Sequence, residues 1–540
     1  MPRALLLWLL LGAAADGVAQ DTAEAPALAK SAPPNVVLIL ADDLGYSDLG
    51  CQGGEIHTPH LDGLAAAGLR YTQFYDTGRC WPSRAAIMTG YYAQAVRRDR
   101  VPGVASGTPG TRPPWARLLP ELLRARGYRN YHSGKWHLDG QPLANGFDHS
   151  YSLDDHDRHF APRQHREDGK RLPAVPEGSG YYSSTAIVDH AIAQLREHAA
   201  TRAGQPFFAF VAFTAPHFPL QAPASDIARY AGVYRRGWDM LREQRWSRMQ
   251  ALGLGGSALA PIEREVGPPY DFPAALLSLG ALEINRPLPW RDLGEQRREF
   301  QAAKMAVHAA MVDRLDQEVG RLLAQLDAMQ ATANTVVMFL SDNGASAEMM
   351  VRGDGHDPTA PAGSAKTFLS LGPGWSSLAN TPFRRHKTWT HEGGIATPFL
   401  LRWPAGIAAR GELRHAPAHV VDLLPTILAL AEVDRDPAAP AGHGTSLLPT
   451  FATDAPLPRT DLWWQHEGNR AFRRGDWKIV AAGENSAWEL YDLTSDRSET
   501  ADLAAKMPDK VKELATAWQR QTDACIELAT RDRPPAKAGK

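Results

Sequence analysis

The sequence predicts an α/β protein. A large mixed, mostly parallel sheet is sandwiched by helices, and a smaller C-terminal α+β domain carries an antiparallel sheet. Three observations carry this reading. Short apolar, β-branched runs recur along the chain, the pattern of strands buried on both faces of a parallel sheet. Segments with helical spacing lie between them, the alternation that builds such a sheet. Near the C-terminus the patterning changes to short strand-like stretches followed by a polar helix.

The first run is Asn35 to Ala41, and Asp42 and Asp43 stand at its end. A shorter run, Tyr128 to His132, leads into Gly134-Lys135-Trp136-His137. Phe207 to Phe213 ends in Thr214-Ala215-Pro216-His217, and Thr335 to Leu340 ends in Ser341-Asp342-Asn343-Gly344. Helical patterns cover Thr58 to Gly68, Ala116 to Arg126 with Gly127 closing it, and Phe300 to Met329. Ligands of open α/β sheets bind beyond the carboxyl ends of the strands. All four polar clusters sit at such ends, so four distant segments should converge on one site.

Residues 228–300 interrupt the alternation with an Arg- and Trp-rich helical insertion that opens around Tyr230 to Asp239. It either shapes access to the site or packs peripherally. Loops are expected near 97–113, 256–275, 345–380 and 435–442. In the C-terminal part, Trp477 to Ala481 and Trp488 to Tyr491 read as strands and Pro508 to Thr522 as a helix.

The N-terminus has the form of an export signal: Arg3, an apolar Leu5 to Leu11, then small residues up to Ala19. The apolar run is shorter than the ~20 residues a membrane span needs. The expected division is therefore a signal peptide over 1–19, a linker over 20–33, a main domain over 34–400 and the smaller domain over 401–540, in a periplasmic or secreted protein without a membrane span. A formal net charge of -2 gives no electrostatic reason to expect nucleic acid. The three cysteines are Cys51, Cys80 and Cys525, an odd count that excludes a disulfide framework as the design. Cys51 reads as a small packing residue and Cys525 as part of a C-terminal helix.

Asp42, Asp43, Asp342 and Asn343 offer oxygen ligands at two strand ends. Oxygen donors suit Ca²⁺ or Mg²⁺ rather than zinc. Clustered carboxylates repel one another without a cation. Asp and Asn also favour caps and turns, but their paired recurrence at two strand ends favours the cation. A helix beginning near Pro82 would aim its N-terminal N–H groups at an anion, with Arg84 one turn in.

The stretch Cys80-Trp81-Pro82-Ser83-Arg84-Ala85-Ala86-Ile87-Met88-Thr89-Gly90 resembles the signature of type I sulfatases, members of the alkaline phosphatase superfamily. Other features of that family occur in the expected order. They are Ala41-Asp42-Asp43-Leu44-Gly45-Tyr46, Gly134-Lys135-Trp136-His137-Leu138, Ala215-Pro216-His217, Ser341-Asp342-Asn343-Gly344 and Lys387-Thr388-Trp389-Thr390-His391-Glu392-Gly393-Gly394. The resemblance covers roughly residues 34 to 500. Details such as Gly372-Pro373-Gly374-Trp375, Thr381-Pro382-Phe383-Arg384 and Gly237-Trp238-Asp239 are most similar to bacterial arylsulfatases.

The resemblance implies hydrolysis of aryl or carbohydrate sulfate esters. A maturation enzyme would oxidise Cys80 to formylglycine, whose hydrate attacks sulfur. Asp42, Asp43, Asp342, Asn343 and the modified Cys80 would hold one Ca²⁺. Lys135 and Lys387 would neutralise sulfate oxygens, Arg84 would hold the nucleophile, His217 would protonate the leaving group and His137 would act as base. His391 counts with the substrate-binding residues; it and Glu392 either touch substrate or order the loop carrying Lys387. A phosphonate or phosphate ester hydrolase on the same scaffold is the alternative. The intact Cys80, Arg84, Lys135 and His137 argue against a binding protein that has lost the chemistry.

Overall fold

The computed structural model describes residues 33–255 and 258–532. The expected signal peptide, and the expected linker up to residue 32, lie outside the described residues. Among the described residues, no helix is long and apolar enough to cross a membrane.

In chain order the strands are β1 (Asn35–Ala41), β2 (Leu69–Tyr71), β3 (Phe74–Tyr75), β4 (Arg129–Gly134), β5 (His149–Leu153), β6 (His165–Glu167), β7 (Lys170–Arg171), β8 (Phe207–Ala212), β9 (Thr335–Ser341), β10 (Phe399–Arg402), β11 (Glu412–Arg414), β12 (Ala418–His419), β13 (Asp461–His466), β14 (Asn469–Arg474), β15 (Trp477–Ala481) and β16 (Glu489–Asp492). Ten of them form one sheet in the order β11-β2-β10-β9-β1-β8-β4-β5-β6-β7. Its centre, β9-β1-β8-β4-β5, is parallel throughout. β10 runs antiparallel to β9, and β6 and β7 close the other edge antiparallel. β13 to β16 make a separate antiparallel sheet. The fold is the one the sequence predicts.

Both faces of the large sheet are covered, which is why β1 is apolar without alternation. Val37, Ile39 and Ala41 pack with the helices Ser183–Thr201 and Glu295–Ala328. Val36, Leu38 and Leu40 pack on the other face, in the cluster that holds the helices Cys80–Thr89 and Leu423–Leu430 and reaches the small sheet through Trp463, Phe472 and Ile479. The chain beyond residue 400 returns to the large sheet through β10 and β11 before the small sheet begins at Asp461.

Three local expectations change. The helix read over Ala116–Arg126 is shorter: Leu119–Leu123, then one 3₁₀ turn Arg124–Arg126 ended by Gly127 at φ 75°. Pro120 explains the late start, because a proline is tolerated in the first turn but breaks a helix interior. The segment 345–380 is not all loop, since Gly372–Ala379 is helical. The C-terminal helix runs on to Thr530. The insertion contributes the helices Gly237–Ala251 and Pro273–Leu279. It is anchored, not loosely appended. Trp238 packs edge-on against Trp290 and Trp375, with ring centroids 4.8 and 5.2 Å away. A side chain at Gly374 would come within 2.8 Å of the Trp238 ring. Arg245, fully buried, pairs with Asp48 and Glu55 at 2.7 Å each.

Candidate active site

Four neighbouring strands, β9, β1, β8 and β4, end side by side. Each delivers its polar residues to the same region just past its last hydrogen bond. β1 ends in Asp42 and Asp43, β9 in Asp342 and Asn343, β8 leads to His217 and β4 to Lys135 and His137. Cys80 is the first residue of the helix Cys80–Thr89 and is 3% exposed. Ser83 Oγ accepts a hydrogen bond from the Thr77 N–H at 3.1 Å, which fixes the turn before Cys80. Lys387 arrives from the loop after the Gly372–Ala379 helix, and its loop is tied to the Cys80 turn by the Thr388 N–H, which donates to Gly78 O at 2.8 Å.

The cluster is a buried lattice of opposed charges. Lys135 Nζ donates to Asp42 Oδ2 at 2.5 Å. Arg84 Nε and Nη2 lie 2.9 and 2.8 Å from Asp342 Oδ2, and Arg84 Nη1 donates to Lys135 O at 2.6 Å. Lys387 Nζ is 2.8 Å from Asp43 Oδ1 and 3.0 Å from Glu348 Oε2. Asn343 Nδ2 donates to Asp43 Oδ1 at 2.7 Å, and His217 Nε2 lies 3.8 Å from Asp43 Oδ2. Asp43, His137 and Thr388 hold positive φ of 66°, 56° and 87°. Such backbone is costly for these residues, and at a β-branched threonine above all.

Burial and neighbours set the protonation states. Burial alone would raise Asp42, but the charges of Lys135, Arg84 and Lys387 hold it well below the usual carboxylate range. Burial and the Asp42 charge push Asp342 up to about 6 against the pull of Arg84. Burial also raises Asp43, helped by Asp42 and Glu348 and opposed by Lys387. Glu348 is brought down to about 2, because Lys387 and Arg79 outweigh its burial. Burial depresses His137 and His217 well below the ordinary imidazole range, aided by Lys135 at the first and Lys387 at the second. Burial raises the Cys80 thiol despite Lys135 and Lys387. A thiol held protonated is a poor nucleophile.

Asp42, Asp43 and His217 bring ligand atoms within 4.8 Å of one another, the one metal-ligand grouping of this kind among the described residues. Asp42 Oδ1 and Asn343 Oδ1 are buried without a hydrogen-bond partner. Two orphaned oxygens inside a carboxylate cluster fit a hard cation, which takes oxygen donors.

The structure brings ten of the eleven expected residues together: Asp42, Asp43, Cys80, Arg84, Lys135, His137, His217, Asp342, Asn343 and Lys387. His391 stands apart. It is fully buried, with Nε2 3.5 Å from Glu489 Oε2 of β16, and makes no hydrogen bond to the cluster. Its neighbour Glu392 accepts from Lys478 Nζ at 2.9 Å and Tyr75 OH at 3.0 Å, so this segment faces the small sheet. Sequence reading missed four residues. Glu348 bridges Lys387 and Arg79, the latter at 3.0 Å. Arg79 lies between the rings of Trp81 and Tyr270, 5.1 and 5.3 Å from their centroids. His156 sits between His137 and His217, with ring centroids 5.8 and 5.7 Å away. Trp81 meets His137 edge-on at 5.8 Å. For Arg79 and Trp81 the available signal was adjacency to Cys80.

A family model described as sulfatase matches residues 34–433. The chain is 33% identical over 541 residues to an uncharacterised sulfatase of Schizosaccharomyces pombe (strain 972 / ATCC 24843), covering 91% of this chain and 93% of that protein. It is 31% identical over 435 residues to an arylsulfatase of Klebsiella aerogenes, covering 74% and 87%. Among solved structures it is similar to that of Ps i-CgsB in complex with k-i-k-neocarrahexaose, at TM-score 0.64 and 22% identity over 93% of this chain and 98% of that one. Signature, strand-end cluster and matched length agree: the chain belongs to the sulfatase family and is a sulfuric ester hydrolase.

Proposed function

We propose that the chain hydrolyses aryl or carbohydrate sulfate esters through a formylglycine made from Cys80, beside a calcium ion held by Asp42, Asp43, Asp342, Asn343 and the modified Cys80. The observation that carries this reading is the convergence of cations and carboxylates on the buried first residue of the Cys80–Thr89 helix. The hydrated aldehyde would supply the nucleophile, and the cation would acidify its hydroxyl and draw charge from sulfate oxygens. A separate maturation enzyme makes the aldehyde before or during export to a periplasm or the cell exterior.

Lys135 and Lys387 neutralise the sulfate as point charges. Arg84 orients the nucleophile from below, since its own side chain is fully buried and locked to Asp342. His217 donates through Nδ1 to Phe218 O at 2.5 Å, so Nε2 is the atom that carries the proton to the leaving oxygen. Burial and Lys387 keep this ring neutral; an arriving sulfate anion offsets both and favours its protonated form. His137 is held neutral and its buried Nδ1 has no partner, which suits a base. All of these residues lie in 34–400, the segment assigned to catalysis, with 401–540 as the supporting domain. The deciding comparison is kcat/KM on phenyl sulfate against a phenyl phosphonate monoester with the same leaving group. Faster sulfate turnover is expected, and dominant phosphonate turnover would replace this reading with the alternative.

A further inference from the structure

We propose that Glu348 is a positioning residue for the sulfate group, holding the Lys387 ammonium in place while Arg79 offsets the carboxylate's own charge. The proposal rests on the sulfatase reading and names what keeps one charge of that same site in position.

A lysine ammonium is a compact charge on a flexible stem, so its worth to an anion depends on what fixes it. Asp43 is one partner of Lys387 Nζ, with its oxygens at 2.8 and 3.0 Å, but Asp43 is also assigned to the calcium ion. Glu348 is the other, fully buried, with Oε2 at 3.0 Å. Its own position is fixed locally. Ser346 Oγ donates to Oε2 at 3.0 Å and accepts from the Glu348 N–H at 3.1 Å. Ala345 O accepts from the Lys387 N–H at 3.1 Å. Asn380 holds Ala345 at both ends: Oδ1 accepts from the Ala345 N–H at 2.8 Å, and Nδ2 donates to Ala345 O at 3.2 Å. The segment of Glu348 and the loop of Lys387 are thus joined through backbone and through side chains.

A bare carboxylate beside the sulfate site would repel the substrate. Glu348 is not bare, because its Oε1 lies 3.0 Å from Arg79 Nη2. Arg79 Nη1 donates in turn to Thr388 Oγ1 at 2.8 Å, which ties the residue before Cys80 to the residue after Lys387. Arg79, Glu348 and Lys387 together keep a net positive charge. Lys387 therefore gains an anchor without the site losing its attraction for an anion.

The test is a double-mutant cycle read as kcat/KM on phenyl sulfate, with Cys80 converted in every protein. Glu348→Gln keeps the shape and removes the charge. It should lower kcat/KM about 10–100-fold, the range seen when a partner that orients a site residue is removed. In the Lys387→Met background the same change should cost less than about twofold, because no ammonium is left to place. A purely structural role would cost the same in both backgrounds. Equal losses, or no loss in the wild-type background, overturn the positioning role and leave the sulfatase reading in place. Ser346→Ala removes only the hydroxyl that holds Oε2, so it serves if Glu348→Gln does not fold. It should show a smaller loss, again confined to enzyme that has Lys387, and equal losses or none overturn the proposal. A wild type that does not turn over phenyl sulfate, or a Lys387→Met variant as fast as wild type, overturns the reading of the site itself and the proposal with it.

Discussion

Arg84→Met removes one charge from the centre of the lattice and keeps most of the volume. The wild-type guanidinium is fully buried and holds Asp342 through two contacts of 2.9 and 2.8 Å, Lys135 O at 2.6 Å and Asp42 at 3.7 Å. Breaking a buried pair from one side strands the partner and costs about 3–5 kcal/mol. Asp342 already sits at about 6 and can take a proton once Arg84 is gone, which moves the cost toward the lower end. The expected loss is therefore about 3 kcal/mol, read as the difference in unfolding free energy from urea titrations of calcium-free protein. Arg84→Lys should recover only part of it, because an ammonium cannot make the fork of contacts. A loss below about 1 kcal/mol for Arg84→Met would refute the claim that this charge compensates the buried carboxylates.

Two further outcomes follow from the same lattice and from the small-sheet interface. Lys387→Met should lower kcat/KM on an aryl sulfate by about 10²–10³-fold, the usual loss for one charge-stabilising group; an unchanged value would remove Lys387 from the sulfate site. Glu392 is buried, but Lys478 and Arg497 bring it from 4.5 down to about 2. A group depressed in the folded state stabilises above its unfolded value and loses that stabilisation as pH falls through its folded value. Wild type should thus lose about 3 kcal/mol between pH 5 and pH 2 that Glu392→Gln does not. Parallel melting-temperature curves for the two proteins would contradict the assignment.

Much of the molecule was legible in the sequence because its signals are local. The doubly buried strands β1, β8 and β9 announce themselves as unbroken apolar runs, and the residue after each last strand position is dictated by topology. Asp42, His217 and Asp342 could therefore be placed together from sequence alone. What escaped depends on contacts through space. Glu348 lies in a segment without periodicity, and only the fold shows that it joins Lys387 to Arg79. His156 follows β5, one strand beyond the four that carried recognisable clusters, and its place between two histidines is a matter of loop path. His391 was read with its neighbour Lys387, but four residues of tight turn send its ring toward β16 instead. The contact of Tyr270 in the insertion with the cluster around Phe218 is likewise announced by no motif.

Cys80 as encoded is a buried thiol whose proton is held more tightly than usual. In the proposed reaction it is a precursor, not a nucleophile. The most direct measurement is peptide mass spectrometry across Cys80 on preparations with and without co-expressed maturation enzyme, paired with kcat on an aryl sulfate. The expected result is a kcat that scales with the fraction of Cys80 converted to the aldehyde and extrapolates to near zero for the thiol. Full activity in protein whose Cys80 remains unmodified, or in Cys80→Ala, would contradict it.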